Sequence, residues 1–78
     1  MSDKKLLTTI PRTATEEIQV GINEYKGKKY LDLRIFYTTD GGANWLPTKK
    51  GVAIYPENLE ALKEAIELAQ QELESVEA

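Results

Sequence analysis

The fold is decided by residues 16–37, EEIQVGINEYKGKKYLDLRIFY, in which two alternating runs flank one short turn. In the first run Ile18, Val20 and Ile22 fall on one face, which is the period of a half-buried strand. The second run alternates in the same way, and its core-facing set is Leu31, Leu33, Ile35 and Tyr37. Gly27 can take a positive φ between the runs, so the stretch predicts an antiparallel hairpin.

Strand and turn signals continue after the hairpin. Asp40-Gly41-Gly42 predicts a tight turn. Residues 44–51 are interrupted by Pro47, which fits an edge strand or an irregular link. Residues 50–55, KGVAIY, then predict a fourth short strand with Val52 and Ile54 facing inward. The sequence therefore predicts a four-stranded, curved antiparallel sheet built as a meander.

The first fifteen residues, MSDKKLLTTIPRTAT, differ from the hairpin in having no sustained period. They contain a proline and several threonines, and we expect a flexible N-terminal arm over residues 1–15. The folded domain is then predicted to occupy residues 16–78.

The C-terminal run, PENLEALKEAIELAQQELESVEA, predicts one helix. Pro56 is favoured in a first helical turn, and Glu57 and Glu60 suit the positive end of the helix dipole. Apolar residues recur at spacings of three and four, which is the seam of a helix pair. The predicted interface residues are Leu59, Leu62, Ile66, Ala69 and Leu73, and Val76 continues the seam. The helix could cover its own sheet alone, but we favour a homodimer through the helices.

Composition supports the dimer and excludes several classes of protein. A chain of 78 residues has a marginal core, and with no cysteine and no histidine it has neither a disulfide nor the commonest metal ligands. The same absences remove the usual catalytic constellations, so we expect no enzyme, no metal and no cofactor. No apolar run reaches the ~20 residues of a membrane span. We expect a cytoplasmic protein, nucleoid-associated if its source is bacterial.

The net charge of -3 hides two halves of opposite sign. Residues 1–55 carry nine Lys and Arg against six Asp and Glu, whereas residues 56–78 carry one lysine against seven glutamates. A basic body with an acidic segment is typical of nucleic-acid binding. The cations of the predicted sheet are Lys26, Lys28, Lys29, Arg34, Lys49 and Lys50.

Aromatic residues lie among these cations. They are Tyr25, Tyr30, Phe36, Tyr37 and Trp45. Single strands need this mixture, because cations follow the phosphates and flat rings stack on the bases. Duplex DNA is usually read by a helix in the major groove, and the one predicted helix here is acidic. The residues therefore favour single-stranded over duplex nucleic acid, with an ordinary sheet surface as the plainer alternative.

The sequence contains three motifs in order: KGK at 26–28, DLR at 32–34, and PTKKG at 47–51 followed by a helix. In this order and spacing they resemble the single-stranded-DNA-binding domain of the positive cofactor four family of transcriptional coactivators. The similarity runs from about Glu16 to Leu73, and the short form resembles bacterial and phage members. It implies a curved four-stranded sheet and a helix, and a homodimer through the helices that holds single strands with little sequence preference. A role as a transcription regulator or coactivator is a further expectation.

The resemblance also implies roles for individual residues. The stacking aromatics correspond to Tyr25 and Tyr37, and the phosphate-binding cations are Lys26, Lys28, Arg34, Lys49 and Lys50. Arg34 and Tyr37 differ in strand parity, so either a bulge turns Tyr37 or Phe36 stacks instead. Trp45 could share the stacking. The alternatives are a dimeric protein-binding adaptor that uses the open sheet face, and an RNA-binding protein, since the sequence shows no dedicated reader of the ribose hydroxyl.

Overall fold

The structure, a computed structural model, describes residues 4–77. It consists of a four-stranded antiparallel sheet in the order β1-β2-β3-β4, followed by one helix. The strands are β1 (Lys5–Pro11), β2 (Glu16–Tyr25), β3 (Lys28–Tyr37) and β4 (Leu46–Ile54). A 3-10 turn (Pro56–Asn58) leads into helix α1 (Leu59–Glu77). This confirms the α+β class, the meander and the single C-terminal helix. None of the described helices is long and apolar enough to cross a membrane.

The β2–β3 hairpin has the register that the alternation predicts. Its ladder runs without interruption from Tyr25 opposite Lys28 to Glu16 opposite Tyr37. Lys26 and Gly27 form the two-residue loop with φ values of 51° and 79°, and positive φ at both positions matches the right-handed twist of the strands. One face of the hairpin is apolar and carries Ile18, Val20, Ile22, Leu31, Leu33 and Ile35. We call the other face, which bears Gln19, Asp32 and Arg34, the polar face.

The expectation of an arm without regular structure is wrong for Lys5–Pro11, which form β1 against β2. A register shift between Leu6 and Thr8 breaks the alternation on which a prediction depends. Gly21 allows the approach, because a Cβ there would lie 2.8 Å from the carbonyl oxygen of Lys5. Residues 1–3 of the expected arm lie outside the described residues.

The two short segments predicted for residues 44–55 are one strand, β4, at the edge of the sheet. Pro47 is tolerated there, since an edge strand need not donate every ladder hydrogen bond. The β3–β4 ladder contains a bulge: Arg34 pairs with Gly51, and the next pair is Phe36 with Pro47. The three intervening residues of β4 face only one residue of β3.

Helix α1 does not cover the sheet. It contacts mainly the 3-10 turn, and Ile66 and Leu73 are 52% and 65% exposed. No hydrophobic side chain that the structure describes is buried. The Cα radius of gyration is 14.8 Å, against about 11.5 Å for a compact domain of this length. A single protomer therefore leaves both the helix seam and much of its apolar sheet surface open.

Candidate nucleic-acid interface

The tip of the β2–β3 hairpin presents one exposed ring among cations. Tyr25 is 60% exposed, and it lies opposite Lys28, so both side chains belong to the polar face. The ammonium of Lys26 lies 5.4 Å from the centroid of the Tyr25 ring, within cation–π range. The tight turn therefore brings together an aromatic face and positive charge, which are the two elements that a stacked base and its phosphate need.

Arg34 occupies the polar face in the middle of β3 and is held on two sides. Its Nε and Nη2 donate to the carboxylate of Asp32, both at 3.2 Å, and its Nη1 donates to the Thr48 carbonyl at 3.0 Å. A Cβ at Gly51 would lie 2.9 Å from the Arg34 Cζ, so the guanidinium uses the space that the glycine leaves. These bonds occupy three of the five N–H donors, and two remain for a phosphate. Asp32 and Arg34 thus form an ion pair within β3.

The bulge in β4 holds the second pair of cations, Lys49 and Lys50, both exposed. Thr48 fixes its shape, because the hydroxyl donates to the Ile35 carbonyl at 2.7 Å and accepts from the Lys50 N–H at 3.1 Å. Sequence reasoning missed Thr48. The available signal was a hydroxyl residue two positions before Lys50, where such side chains bond the backbone and form local turns.

The strand register shows on which face of the sheet the two candidate stacking residues, Phe36 and Tyr37, lie. Because the β2–β3 ladder is uninterrupted, β3 has no bulge between Arg34 and Tyr37, and the irregularity lies in β4 instead. Phe36 therefore shares the polar face with Arg34 and is half-buried. Tyr37 is on the apolar side, 37% exposed and opposite Leu46.

Two of the other aromatics are engaged within the protomer. The rings of Tyr30 and Tyr55 are 5.3 Å apart with a tilt of 41°, so Tyr30 is covered by the segment that follows β4. Trp45 is half-buried next to Gly42, where a Cβ would come within 3.9 Å of the indole Cζ2. The structure thus does not bring Trp45 to the hairpin tip but packs it on the β3–β4 loop.

That loop is fixed by hydrogen bonds around Thr38 and Asp40. The Thr38 side chain, on a residue only 4% exposed, donates to Asp40 Oδ1 at 2.7 Å and accepts from the Gly42 N–H at 3.0 Å. The Asn44 N–H and Nδ2 donate to the same carboxylate at 3.0 and 2.9 Å. Bonds from the backbone and side chain of Asn44 and from Thr38 lower the pKa of Asp40 to about 2. The turn predicted at Asp40-Gly41-Gly42 is confirmed, and it holds the start of β4 in place.

The predicted helix seam is present on α1 and lies open. Leu62 is half-buried, while Leu59, Ile66, Ala69 and Leu73 are exposed. The side chain of Val76 lies outside the described residues. Seven glutamates follow Tyr55, so the polar surface of the helix is acidic and differs from the cationic hairpin.

Comparison with known proteins finds a matching family model and a curated relative. Residues 13–65 match the family described as Transcriptional Coactivator p15 (PC4). A Drosophila melanogaster protein, an RNA polymerase II transcriptional coactivator, is 39% identical over 59 residues. That match covers 76% of this chain and 49% of the relative, so the chain spans about half the length of that protein.

The fold also matches a solved PC4 homolog from Burkholderia pseudomallei in two crystal forms. The orthorhombic form aligns with a TM-score of 0.79 and 29% identity, covering 87% of this chain and 90% of the other. The tetragonal form aligns with a TM-score of 0.77 and 28% identity, covering 87% and 98%. The sheet followed by one helix is thus shared along nearly the whole of both chains.

Proposed function

This chain belongs to the Transcriptional Coactivator p15 (PC4) family, whose members bind nucleic acid, and we propose that it is a homodimeric single-stranded-DNA-binding protein with little sequence preference. The observation that carries the proposal is the hairpin tip, where an exposed ring lies between lysines on an open sheet face. A coactivator-like role in transcription is proposed with it.

Phosphate contacts supply most of the affinity in this proposal. Lys26 and Lys28 extend from the hairpin tip, and Lys49 and Lys50 from the bulge that Thr48 fixes against β3. Lysine ammoniums in these positions release counterions from a bound strand whatever its sequence. Tyr25 stacks on a base, which distinguishes a single strand from a duplex, because paired bases do not expose a ring face. Phe36 is the second stacking residue, since it shares the face of Arg34.

The open apolar surface supports the proposed dimer. No hydrophobic side chain in the described part of one protomer is fully buried, so a single protomer gains only part of the hydrophobic burial that usually stabilises a fold. The α1 seam and the apolar face of the sheet are the surfaces that a second copy would bury. Obligate homodimers of this kind often have no stable folded monomer.

The test is a titration of labelled oligo-dT, with a duplex of equal length and oligo-U as competitors, at several salt concentrations. Two protomers that engage about six to ten phosphates should give a slope of log K against log salt near -4 to -7, at about -0.7 per phosphate. Single strands should compete far better than duplex. A slope near zero would overturn the proposal.

A protein-binding adaptor is the second candidate, and one observation favours it. Strand β1 is an edge strand whose Leu6, Leu7 and Ile10 are all about half exposed or more. Such an edge can pair with an extended segment of another chain. The salt titration separates the two candidates, because an adaptor has no reason to bind oligonucleotides with a steep salt dependence. Oligo-U in the same titration tests RNA as the ligand.

A further inference from the structure

Strand β1 (Lys5–Pro11) is an outer edge of the sheet and pairs with β2 on one side only. On its other side the backbone N–H and C=O groups face no strand of the described chain, and every residue of β1 is exposed. Such an edge is a template for one more strand. The cations of the β4 bulge lie at the opposite edge of the sheet, so the β1 edge is a separate feature.

Apolar side chains line this open edge. Leu6 pairs with Gly21, so it has no side chain opposite it on β2, and it is 58% exposed. Leu7 falls within the register shift and is 50% exposed, while Ile10 is 47% exposed. A strand added at the edge would cover part of these side chains, and that burial would add to the new backbone hydrogen bonds.

The two ends of the edge differ in charge. Lys4 and Lys5, at its start, are exposed, and neither forms an ion pair within the part of the chain that the structure describes. At its end Arg12 is already paired with Glu16 at 2.8 Å, and Pro11 has no N–H to donate. A strand that pairs with residues 6–10 would therefore meet positive charge at one end, which favours carboxylates on that strand.

The same residues disfavour a second copy of β1 as the occupant. Parallel pairing of two β1 strands would place their lysines side by side. Antiparallel pairing centred on Thr8 would place Lys4 opposite Arg12 and Lys5 opposite Pro11. Like charges opposite each other destabilise a strand pair, and lysine and proline are common protection against self-pairing at an edge. The occupant that fits is an acidic strand from a different chain.

We propose that the β1 edge binds an extended segment of another protein, in which acidic residues alternate with apolar ones, as a fifth strand of the sheet. The backbone of residues 6–10 supplies the hydrogen bonds, Leu6 and Ile10 contact the apolar side chains, and carboxylates pair with Lys4 and Lys5. This proposal names a partner for the edge and holds whether or not the sheet face binds single strands.

The first test measures charge preference with two labelled, capped peptides of seven residues, the length of β1. One alternates glutamate with valine and the other lysine with valine. By fluorescence anisotropy, wild type should bind the acidic peptide about tenfold tighter than the basic one, the scale of a few exposed ion pairs. Lys4→Glu and Lys5→Glu should each lower the ratio, and the double variant should reverse it.

Lys63→Glu, the same change on α1, is the control for the single variants and should keep the wild-type ratio. All four variants should keep the wild-type melting curve, since the three lysines are exposed. Equal binding of the two peptides by wild type, or a preference that survives in the double variant, overturns the proposal.

The second test asks whether the peptide backbone pairs with the edge. Methylation of every backbone nitrogen keeps the charges of the acidic peptide and removes all its N–H donors, so binding should weaken about tenfold or more. Methylation of alternate nitrogens leaves one side of the strand able to pair, because successive N–H groups point to opposite sides. That peptide should bind nearly as the unmodified one does. Equal binding of the fully methylated peptide, or loss of binding with alternate methylation, overturns strand addition.

The third test separates the edge from the proposed nucleic-acid face. Saturating oligo-dT should leave the affinity for the acidic peptide unchanged, because the two ligands bind to different surfaces. Displacement of the peptide by oligo-dT would show that it occupies the strand site as a polyanion, and would overturn the proposal. A wild-type chain that binds the acidic peptide but no oligonucleotide overturns single-strand binding alone and supports the β1 edge.

Discussion

The β2–β3 hairpin and helix α1 differ in how much of their surface one protomer covers. Most residues of β2 and β3 are half-buried, apart from those at the ends of the hairpin, and the ladder between the two strands has no break. On α1 nearly every described side chain is exposed, including the residues of the apolar seam other than Leu62. The cationic hairpin is thus paired on both sides within one chain, whereas the apolar seam of the helix is left open, as the proposed dimer expects. Changes at the seam should therefore affect assembly, and changes at the hairpin should affect binding.

Ile66→Asp should have the largest effect. Ile66 is central in the α1 seam, and a charge buried there without a partner costs about 3–5 kcal/mol. We expect monomers or unfolded chain by analytical ultracentrifugation and circular dichroism. Gln71→Asp, on the outer side of the same helix, is the control and should leave the dimer intact. A wild-type chain that sediments as a stable monomer at micromolar concentration would contradict the dimer.

Tyr25→Ala and Lys28→Ala should separate stacking from charge at the hairpin tip. Loss of the ring should weaken oligo-dT binding by about 1–3 kcal/mol and leave the salt slope unchanged, because no counterion release is lost. Loss of the lysine should weaken binding and also flatten the slope by about 0.7 per phosphate contact. Both variants should remain dimers with wild-type melting curves.

Lys63→Ala removes a lysine from the exposed side of α1 and serves as the control for Lys28→Ala. It should change neither the affinity nor the slope. If it weakens binding as much as Lys28→Ala does, the cationic surface extends to the helix, and the division of roles between hairpin and helix is wrong.

The sequence predicts the hairpin well because its signals are local. Alternation defines the two faces, and the turn needs only the Lys26-Gly27 pair. The amphipathic helix is predicted for the same reason. Its exposure was not predictable from the period alone, since a seam has the same spacing whether it covers a sheet or another helix.

Features that depend on distant pairing were predicted less well. Strand β1 was missed because the register shift after Leu6 disrupts its alternation, and only Gly21 on the neighbouring strand explains its close approach. The β4 bulge was not predicted, because the parity of Arg34 and Tyr37 left open a bulge in β3 or stacking by Phe36 and gives no information about the neighbouring strand. The bond from the Thr48 hydroxyl to the Ile35 carbonyl was missed because the two residues are thirteen positions apart in the sequence.

Thr48→Val should have a smaller effect that links the two regions. Valine keeps the shape but removes the hydroxyl that joins Ile35 to Lys50, at a cost of about 0.5–1.5 kcal/mol of stability. The bulge would then loosen, and oligo-dT affinity should fall because Lys49 and Lys50 are no longer held. Thr48→Ser keeps the hydroxyl and should bind as wild type does. Equal loss in both variants would assign the effect to the methyl group and not to the hydrogen bonds.

Asp40→Asn should have the smallest effect, visible only as a change with pH. The pKa of Asp40 is about 2 in the folded protein, below the ordinary 3.8, because Asn44 and Thr38 donate hydrogen bonds to the ionised form. A depressed pKa contributes stability that is present above about pH 4 and is lost as the pH falls towards 2. Wild type should therefore melt above Asp40→Asn at neutral pH, and the difference should shrink across that window in a thermal scan. Glu74→Gln on α1 is the control for the loss of one carboxylate. If the difference in melting temperature stays constant from neutral pH to pH 2, the shape of the Asp40 side chain holds the loop and its charge does not. The hydrogen-bonded loop would then need no ionised group, unlike the cationic hairpin.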